Sequence, residues 1–447
     1  MSVILIKVLQ FLVSLSLLVM IHEFGHYISA RIFKIRVEKF YLFFNPWFSL
    51  YKRKIGDTTY GIGWLPLGGY VSLSGMIDES MNTEQMKQEP QPWEFRTKPA
   101  WQRLIVMLAG VFMNVILAMI IFSGMLFTWG ETYVDNANVK YGYEFNEVGE
   151  KLGFEDGDKI VSIDGEAIRD IQNIRKKLIL SGDDRKVEII RHNEPQTLSI
   201  TQEQFVDMRA SDGLVDLYTV INEPYIVEEV ATEDGLDSGF RQGDQIVAIG
   251  DKALYSGVYI NNELMAHKGE EVTITVLRYE DGAPIRDTIT TRLSDEGKIA
   301  NVKFQAVEAL TETHVEYGFF ESIPAGIKAA GNEIASYWNQ LKMIVDPDNE
   351  MYKEVGGFLS IGSIFPDTWD WSRFWYLTAL LSIMLAVMNL LPIPGLDGGH
   401  ALFTLWEIIT RRKPSDKFME VMQWIGLIIL FALLIYANGN DIFKLFS

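Results

Sequence analysis

The sequence contains no cysteine, which excludes disulfides, a thiol nucleophile and any cysteine-based metal site. Positive charge is the minority: 40 Lys and Arg stand against 59 Asp and Glu, a formal net charge of −19 over 447 residues. A field of that sign argues against nucleic acid as a partner. The apolar run at 3–21 lacks the small-x-small cleavage site that would follow a signal peptide, and it reads as a retained span.

Charge is also nearly missing from four long stretches, 3–21, 104–129, 374–391 and 421–437. Each is long enough to cross a bilayer, the last two being close to the lower limit of roughly 17 residues. The expected fold class is therefore a polytopic α-helical membrane protein with four transmembrane helices. Basic residues mark the loops that face the cytoplasm. They are Arg31, Lys34, Arg36 and Lys39 after the first span, Arg96, Lys98 and Arg103 before the second, and Arg411, Arg412, Lys413 and Lys417 between the third and fourth. An even number of spans then places both termini and the section 131–371 on the extracytoplasmic side. That section holds 46 Asp and Glu against 22 Lys and Arg, so the rest of the chain is net positive by about five charges. The acidity belongs to a soluble module.

Directly after the first apolar run comes Ile21-His22-Glu23-Phe24-Gly25-His26. In a helix, residues four apart share a face, so His22 and His26 point the same way with Glu23 beside them. Two imidazoles at that spacing can hold Zn²⁺, and the carboxylate can take a proton from water. Ionisable groups at membrane depth cost several kcal/mol by most estimates and persist at functional sites. A catalytic zinc takes three protein ligands and keeps one open position. The candidates for the third follow the third span, in Asn389-Leu390-Leu391-Pro392-Ile393-Pro394-Gly395-Leu396-Asp397-Gly398-Gly399-His400, where prolines break the helix and free backbone groups. Asp397 is preferred over His400, because a buried carboxylate is compensated by a dication and is costly without one. His192, His267 and His314 read as ordinary surface groups.

The loop at 41–75 contains two alternating pieces, 58–64 and 69–73, around Leu65-Pro66-Leu67-Gly68. They predict a membrane-associated β-hairpin, with one strand edge open to an extended peptide. Residues 78–92 read as a flexible cytoplasmic loop. The second span carries Gly110-Val111-Phe112-Met113-Asn114, and Asn114 is the only amide or charged side chain in the run 104–129, so some partner must satisfy it.

The soluble section contains a repeat. Gly153-Phe154-Glu155-Asp156-Gly157-Asp158-Lys159-Ile160-Val161-Ser162-Ile163 matches Gly239-Phe240-Arg241-Gln242-Gly243-Asp244-Gln245-Ile246-Val247-Ala248-Ile249 at an offset of 86 residues. The pattern resembles PDZ domains, which implies two extracytoplasmic β-rich PDZ-like domains that take peptide ligands or act as a size filter. From 319 to 345 the pattern is that of an amphipathic helix, with Ile323, Ile327, Ile334, Tyr337, Trp338 and Leu341 on one face, set to lie at the membrane surface or pack on the spans. Gly356-Gly357-Phe358-Leu359-Ser360-Ile361-Gly362 has no role that the sequence alone supplies. The expected domains are 1–130 and 373–447 for the membrane core, 131–220 and 221–307 for the two β-rich domains, and 308–372 for the amphipathic helix and linker.

In this order these motifs resemble the site-2 protease family of intramembrane zinc metalloproteases, in particular its RseP-like bacterial branch. The resemblance implies Zn²⁺ on His22, His26 and Asp397, and Glu23 as the base. It implies Asn114 and Asn389 positioning substrate or stabilising the reacting carbonyl, and a strand segment including Gly61, Gly63, Gly69, Tyr70 and Val71 aligning an extended substrate. The implied location is the bacterial inner membrane with a periplasmic soluble module. The implied substrates are single-span membrane proteins already trimmed by another protease, of the anti-sigma-factor or signal-peptide-remnant type. Members often carry Pro where this chain has Val111, and Gly-Pro where it has Gly357-Phe358; these departures bear on substrate preference. The alternative is a tandem-PDZ membrane scaffold with a structural metal site, against which Glu23 stands, since a structural zinc site does not require it.

Overall fold

The computed structural model describes residues 2–76, 88–181, 184–191, 194–204, 217–221, 225–231, 239–254, 257–280, 283–305, 310–346 and 351–446. His192 and most of the loop expected at 78–92 lie outside the described residues. The chain forms two units, one of Met1–Glu131 with Glu316–Ser447 and one of Thr132–Val315.

The first unit is helical apart from one sheet. Its helices are α1 (Val3–Ile32), α2 (Ala100–Trp129), α3 (Phe319–Val345), α4 (Phe358–Ser363), α5 (Trp371–Leu390), α6 (Asp397–Thr410) and α7 (Asp416–Phe446). Four segments, Val3–Ile32, Ala100–Trp129, Trp371–Leu390 and Lys417–Lys444, are long and apolar enough to cross a membrane. Three of them run well beyond their apolar cores, since helical hydrogen bonding continues through the polar residues at their ends. This matters most in α1, which carries on without a break past His22, Glu23 and His26. Central in the unit is α2, which packs against α1, α3, α5 and α6. Ala118, Ile121 and Phe122 of α2 form a shared core with Ala330 of α3 and Ala379, Ile383 and Val387 of α5.

The face of α3 against α2 is made mainly by small residues, with the apolar stripe partly on its flank and partly outward. Ser322, Gly326 and Ala330, four residues apart, are buried, while Ile323, Ile327 and Trp338 are exposed. Small side chains let the two backbones approach, so they take the α2 contact and leave the large apolar groups outward. Tyr337, Ile334 and Leu341 line the flank of that contact.

The hairpin expected from 58–64 and 69–73 does not form. Instead β1 (Val37–Phe44), β2 (Tyr51–Ile55), β3 (Thr58–Ile62) and β4 (Leu65–Leu73) make one sheet in the order β2-β3-β1-β4. The two expected partners, β3 and β4, lie on opposite sides of β1, the first parallel to it and the second antiparallel. The true hairpin joins β2 to β3 through Gly56 and Asp57. Only Gly63 and Trp64 separate β3 from β4, and the chain uses them to step across β1, whose aromatic run reads in sequence as loop. β4 is left as an edge strand.

The glycine-rich segment before α5 docks on the far end of α7. The main-chain N–H groups of Gly357, Leu359 and Ser360 donate to the Asp441 carboxylate at 2.9–3.1 Å, and that of Phe358 donates to Asn438 Oδ1 at 3.2 Å. Asp441 thereby satisfies the otherwise unpaired donors at the start of α4.

In the second unit the repeat is visible as structure. Lys159–Ile163 and Gln245–Ile249 each lie between a two-residue strand (Glu166–Ala167; Lys252–Ala253) and a longer one (Arg185–Arg191; Glu271–Glu280), with a fourth strand outside the longer one (Glu194–Ile200; Ala283–Arg292). Phe154, Ile160 and Ile163 are buried in the first copy, as are Phe240, Ile246 and Ile249 in the second. The aspartate of each Gly-Asp turn is fully buried and held by an arginine fork. Arg191 donates to both oxygens of Asp158 at 2.8 and 2.7 Å, and Arg278 to both of Asp244 at 2.7 Å.

Candidate metal centre and catalytic site

His22 and His26 arrive on consecutive turns of α1, and Asp397 opens α6, which starts after Pro392 and Pro394 have ended the preceding helix. The fold brings these three together. His22 Nε2 lies 3.3 Å from His26 Nε2, and Asp397 Oδ2 lies 3.1 Å from the first and 3.2 Å from the second. Two ligands about 2.0–2.2 Å from a tetrahedral Zn²⁺ stand about 3.3–3.5 Å apart. The triangle therefore has the size of one face of a zinc tetrahedron.

The protonation pattern fits as well. A carbonyl oxygen only accepts, so His26 Nδ1, 2.8 Å from Val106 O, carries the hydrogen, and the neutral imidazole, the form that binds a metal, has its lone pair on Nε2. That lone pair faces Asp397 Oδ2, a buried carboxylate oxygen with no hydrogen-bond donor. Lone pairs gathered this closely repel one another unless a cation sits among them. The donor set, two imidazoles and one carboxylate, is one that zinc hydrolases use. Among the described residues it is the one group of three His, Asp or Glu side chains arranged to hold a metal.

The amides complete the surroundings of His22. Asn114, fully buried on α2, places Nδ2 3.3 Å from His22 Nδ1, and Asn389 at the end of α5 places Nδ2 3.4 Å from His22 Nε2. Asn114 Oδ1 has no partner in this orientation. Turning the amide over presents Oδ1 to His22 Nδ1, which can then donate to it and keep Nε2 free for a metal. Ser382 Oγ of α5 donates to the Asn114 main-chain carbonyl at 2.8 Å and holds the two helices in register there.

These groups open on a cavity of 780 Å³ lined by His22, Glu23, His26, Asn389, Asp397 and His400. Its other wall is β4, through Leu65 and Gly68 to Val71. Gly69 packs directly on α1: a β-carbon there would stand 2.7 Å from Val19 Cγ1 and 3.5 Å from Glu23 Cγ. The Val71 main-chain N–H lies in hydrogen-bonding reach of the Glu23 carboxylate. Gly69, Tyr70 and Val71 thus reach the cavity. Gly61 and Gly63 do not; they sit beyond β1, where Gly61 makes room for the Tyr41 ring and Gly63 for the Phe44 carbonyl. His400 lines the cavity but lies outside the metal-sized triangle.

Two amide side chains of the lining, Gln423 and Asn45, have no place among the residues the sequence points to. Gln423 is buried on α7 and faces the cavity. The signal was available, because it is the only amide before the helix end in an apolar run, as Asn114 is in its own. Asn45 also lines the cavity and accepts from Tyr70 Oη at 2.9 Å, a contact with no signature in sequence spacing.

Comparison with known proteins agrees with this chemistry. The family model described as peptidase family M50 matches residues 10–433. A Xylella fastidiosa protein named "Putative zinc metalloprotease" is 28% identical, aligned over 96% of this chain and 97% of its own. A Vibrio cholerae protein of the same name is 28% identical over 98% of each chain, and the Haemophilus influenzae "Regulator of sigma E protease" is 26% identical over 98% of each. The chain belongs to peptidase family M50, the site-2 protease family of zinc metalloproteases.

Proposed function

We propose that His22, His26 and Asp397 hold the zinc ion, that Glu23 is the general acid–base group, and that the β4 edge aligns an extended segment of a membrane-protein substrate for hydrolysis. The observation that carries this reading is the triangle of ligand atoms, 3.1–3.3 Å on a side, with Glu23 beside it on the same cavity. Bound zinc supplies Lewis acidity toward the scissile carbonyl and the attacking water. The chain's own residues do the rest. Glu23 takes the proton of the water as it adds to the carbonyl carbon, then returns it to the leaving nitrogen, so the peptide bond is exchanged for an acid and an amine. The amide N–H group of Asn389 flanks the site where charge develops on the carbonyl oxygen, while Asn114, at His22 Nδ1, acts by positioning that imidazole. An edge strand offers main-chain groups to an unwound peptide, which supplies register without demanding a particular sequence.

In this reading the four apolar helices are spans, the loops rich in Lys and Arg face the cytoplasm, and the second unit is a periplasmic pair of PDZ-like domains, residues 131–220 and 221–307. Residues 1–130 and 373–447 form the protease core in the inner membrane, and 308–372 link the parts. Support comes from the charge asymmetry along the chain and from the repeated strand order and Arg–Asp forks. The substrates would be trimmed single-span proteins of the anti-sigma-factor or signal-peptide-remnant kind, with the PDZ-like pair excluding bulky ectodomains or binding peptide ends. The test is cleavage of a helix-destabilised membrane peptide by the purified protein, with and without chelator, beside Glu23→Gln. Cleavage by the variant at the wild-type rate would remove the assignment of Glu23.

A further inference from the structure

Opposite the cavity, the sheet ends in an edge strand that the proteolytic reading leaves without a task. β2 carries Lys52, Arg53 and Lys54 in succession, and every residue of the strand is exposed. The turn leading into it exposes Trp47, at 91%, and Phe48, both stacked on Trp64. Residues 31–64 hold seven Lys and Arg against only Glu38 and Asp57, in a chain of net charge −19. Asp57 is already engaged by Arg36 at 2.6 Å.

The sheet register fixes the order of these groups along α1. Gly69 packs beside Glu23, and it shares a cross-strand row with Leu42, Ile62 and Tyr51. Lys54 shares its row with Thr59, Lys39 and Ser72, three residues nearer the C-terminal end of α1, where Val37 and Leu73 join the core around Ala30. At about 3.3 Å per residue the cations lie roughly 3–10 Å from the level of Glu23 toward that end. The helix itself continues about 13 Å beyond Glu23. Trp47 and Phe48 stack on Trp64, which follows Ile62 on the other side of the Tyr51 row from the cations. Apolar rings below and a row of cations above is the distribution that suits an acyl-to-headgroup boundary, with the lysines extending toward the phosphates.

We infer that β2 and the turn before it form an interfacial anchor that binds anionic phospholipid headgroups of the cytoplasmic leaflet through Lys52, Arg53 and Lys54, with Trp47 and Phe48 in the acyl region. The anchor holds the sheet, and with it the β4 edge, at the depth of Glu23. This rests on the proposed orientation of α1, and its test is separate from that of the protease chemistry. Full-length protein is placed in nanodiscs of phosphatidylcholine with or without phosphatidylglycerol, and the lipid retained after extraction is weighed by native mass spectrometry. The wild type should retain phosphatidylglycerol in preference to phosphatidylcholine, and K52Q/R53Q/K54Q should lose about tenfold or more of that preference. High salt should weaken the preference in the wild type without any substitution. Brominated phosphatidylglycerol should quench tryptophan fluorescence less in Trp47→Phe than in the wild type. Equal retention by wild type and variant, no preference between the lipids, or displacement by inorganic phosphate or by a soluble polyglutamate peptide beyond that given by sodium chloride at the same ionic strength would each overturn the lipid anchor. Zinc content and cleavage in detergent micelles should match the wild type in the triple variant, so failure of the anchor leaves the protease reading standing, and loss of both would instead overturn the variant's use as a surface change and hand the decision to the salt series.

Discussion

Gly110 meets His26 so closely that a β-carbon on it would stand 2.5 Å from Nε2, and within 2.7–2.8 Å of the His22 ring. The metal triangle is thus set by α2 as well as by the helix that carries the histidines. In sequence Gly110 reads as a helix-packing residue; in the fold its missing side chain is the space occupied by the ligand rings. Gly110→Ala should displace both imidazoles and lower zinc affinity by about 10–100-fold, as loss of ligand-orienting contacts does elsewhere. Zinc content after dialysis against a weak chelator checks this, and helical content by circular dichroism should stay near wild type.

The roles proposed for Glu23 and for His22, His26 and Asp397 predict opposite patterns. Glu23→Gln keeps the shape and removes the base, so cleavage should fall by about 10²–10⁴-fold while zinc stays bound. His22→Ala, His26→Ala and Asp397→Asn should each lose zinc, and cleavage with it. For the wild type, chelation should abolish cleavage and added Zn²⁺ should restore it. Retention of full zinc by Asp397→Asn would return His400, which lines the same cavity, to candidacy.

Much of this site is legible in the sequence because it follows from local rules. Helical spacing puts His22, Glu23 and His26 on one face, and the cost of burying a carboxylate singles out Asp397 some 370 residues later. The β-strand edge is legible only in part. Alternation identified β3 and the end of β4, but pairing is a long-range choice that local pattern does not encode, and β1 took the central place. The packing of α3 is the reverse case: the spacing marks an apolar stripe, yet the small residues Ser322, Gly326 and Ala330, which let the two backbones approach, take the α2 contact. The Gly-Asp repeat was visible at its offset of 86, whereas the arginines that hold its aspartates, Arg191 and Arg278, stand 87 apart and escaped it.

Those arginine forks should matter unequally to their two partners. Asp158 and Asp244 are buried, each accepting two arginine bonds and a main-chain N–H, from Glu155 and Arg241 respectively. Removing the acid takes two charged hydrogen bonds from each arginine, which keeps Glu155 and the Gly153 carbonyl for Arg191, or Asp287 and the Gly239 carbonyl for Arg278, a loss of about 1–3 kcal/mol. Asp158→Ala should therefore open the first repeat and Asp244→Ala the second, each without its counterpart. Limited proteolysis of the full chain, read by peptide mapping, would reveal which strands become accessible. Cleavage spread evenly over both repeats would contradict independent folding of the two.

The α2–α3 contact offers a prediction of the overpacking kind. A β-carbon on Gly326 would fall 2.3 Å from Ser123 Oγ and 2.4 Å from Ser123 N. Gly326→Val should push the helices apart and cost about 1–3 kcal/mol. Ser123→Gly cannot relieve the clash with the main chain, so the double variant should remain destabilised. Thermal unfolding in detergent, followed by circular dichroism, gives the ranking: wild type above both variants, with little difference between the single and the double.

Asp441 provides the sharpest local test, because one carboxylate answers for several main-chain donors at once. It accepts from Gly357, Leu359 and Ser360 N–H and from Ser360 Oγ, while Asn438 accepts from Phe358 and Asn440 Nδ2 donates to the Lys353 and Val355 carbonyls. A charged acceptor strengthens each bond, and its removal leaves the buried Gly357 N–H and the half-buried Ser360 N–H without their partner. Asp441→Ala should therefore loosen α4 and the adjoining end of α7 by about 2–4 kcal/mol. Amide hydrogen exchange should rise across 356–362 and 436–444, while 20–30 around His22 and His26 stays as protected as in the wild type. Asp441→Asn keeps one acceptor oxygen and should fall between the two. If exchange around the histidines rises together with that of α4, the docking of this segment is coupled to the metal site, and the glycine-rich approach to α5 acquires a part in catalysis that its position alone does not assign to it.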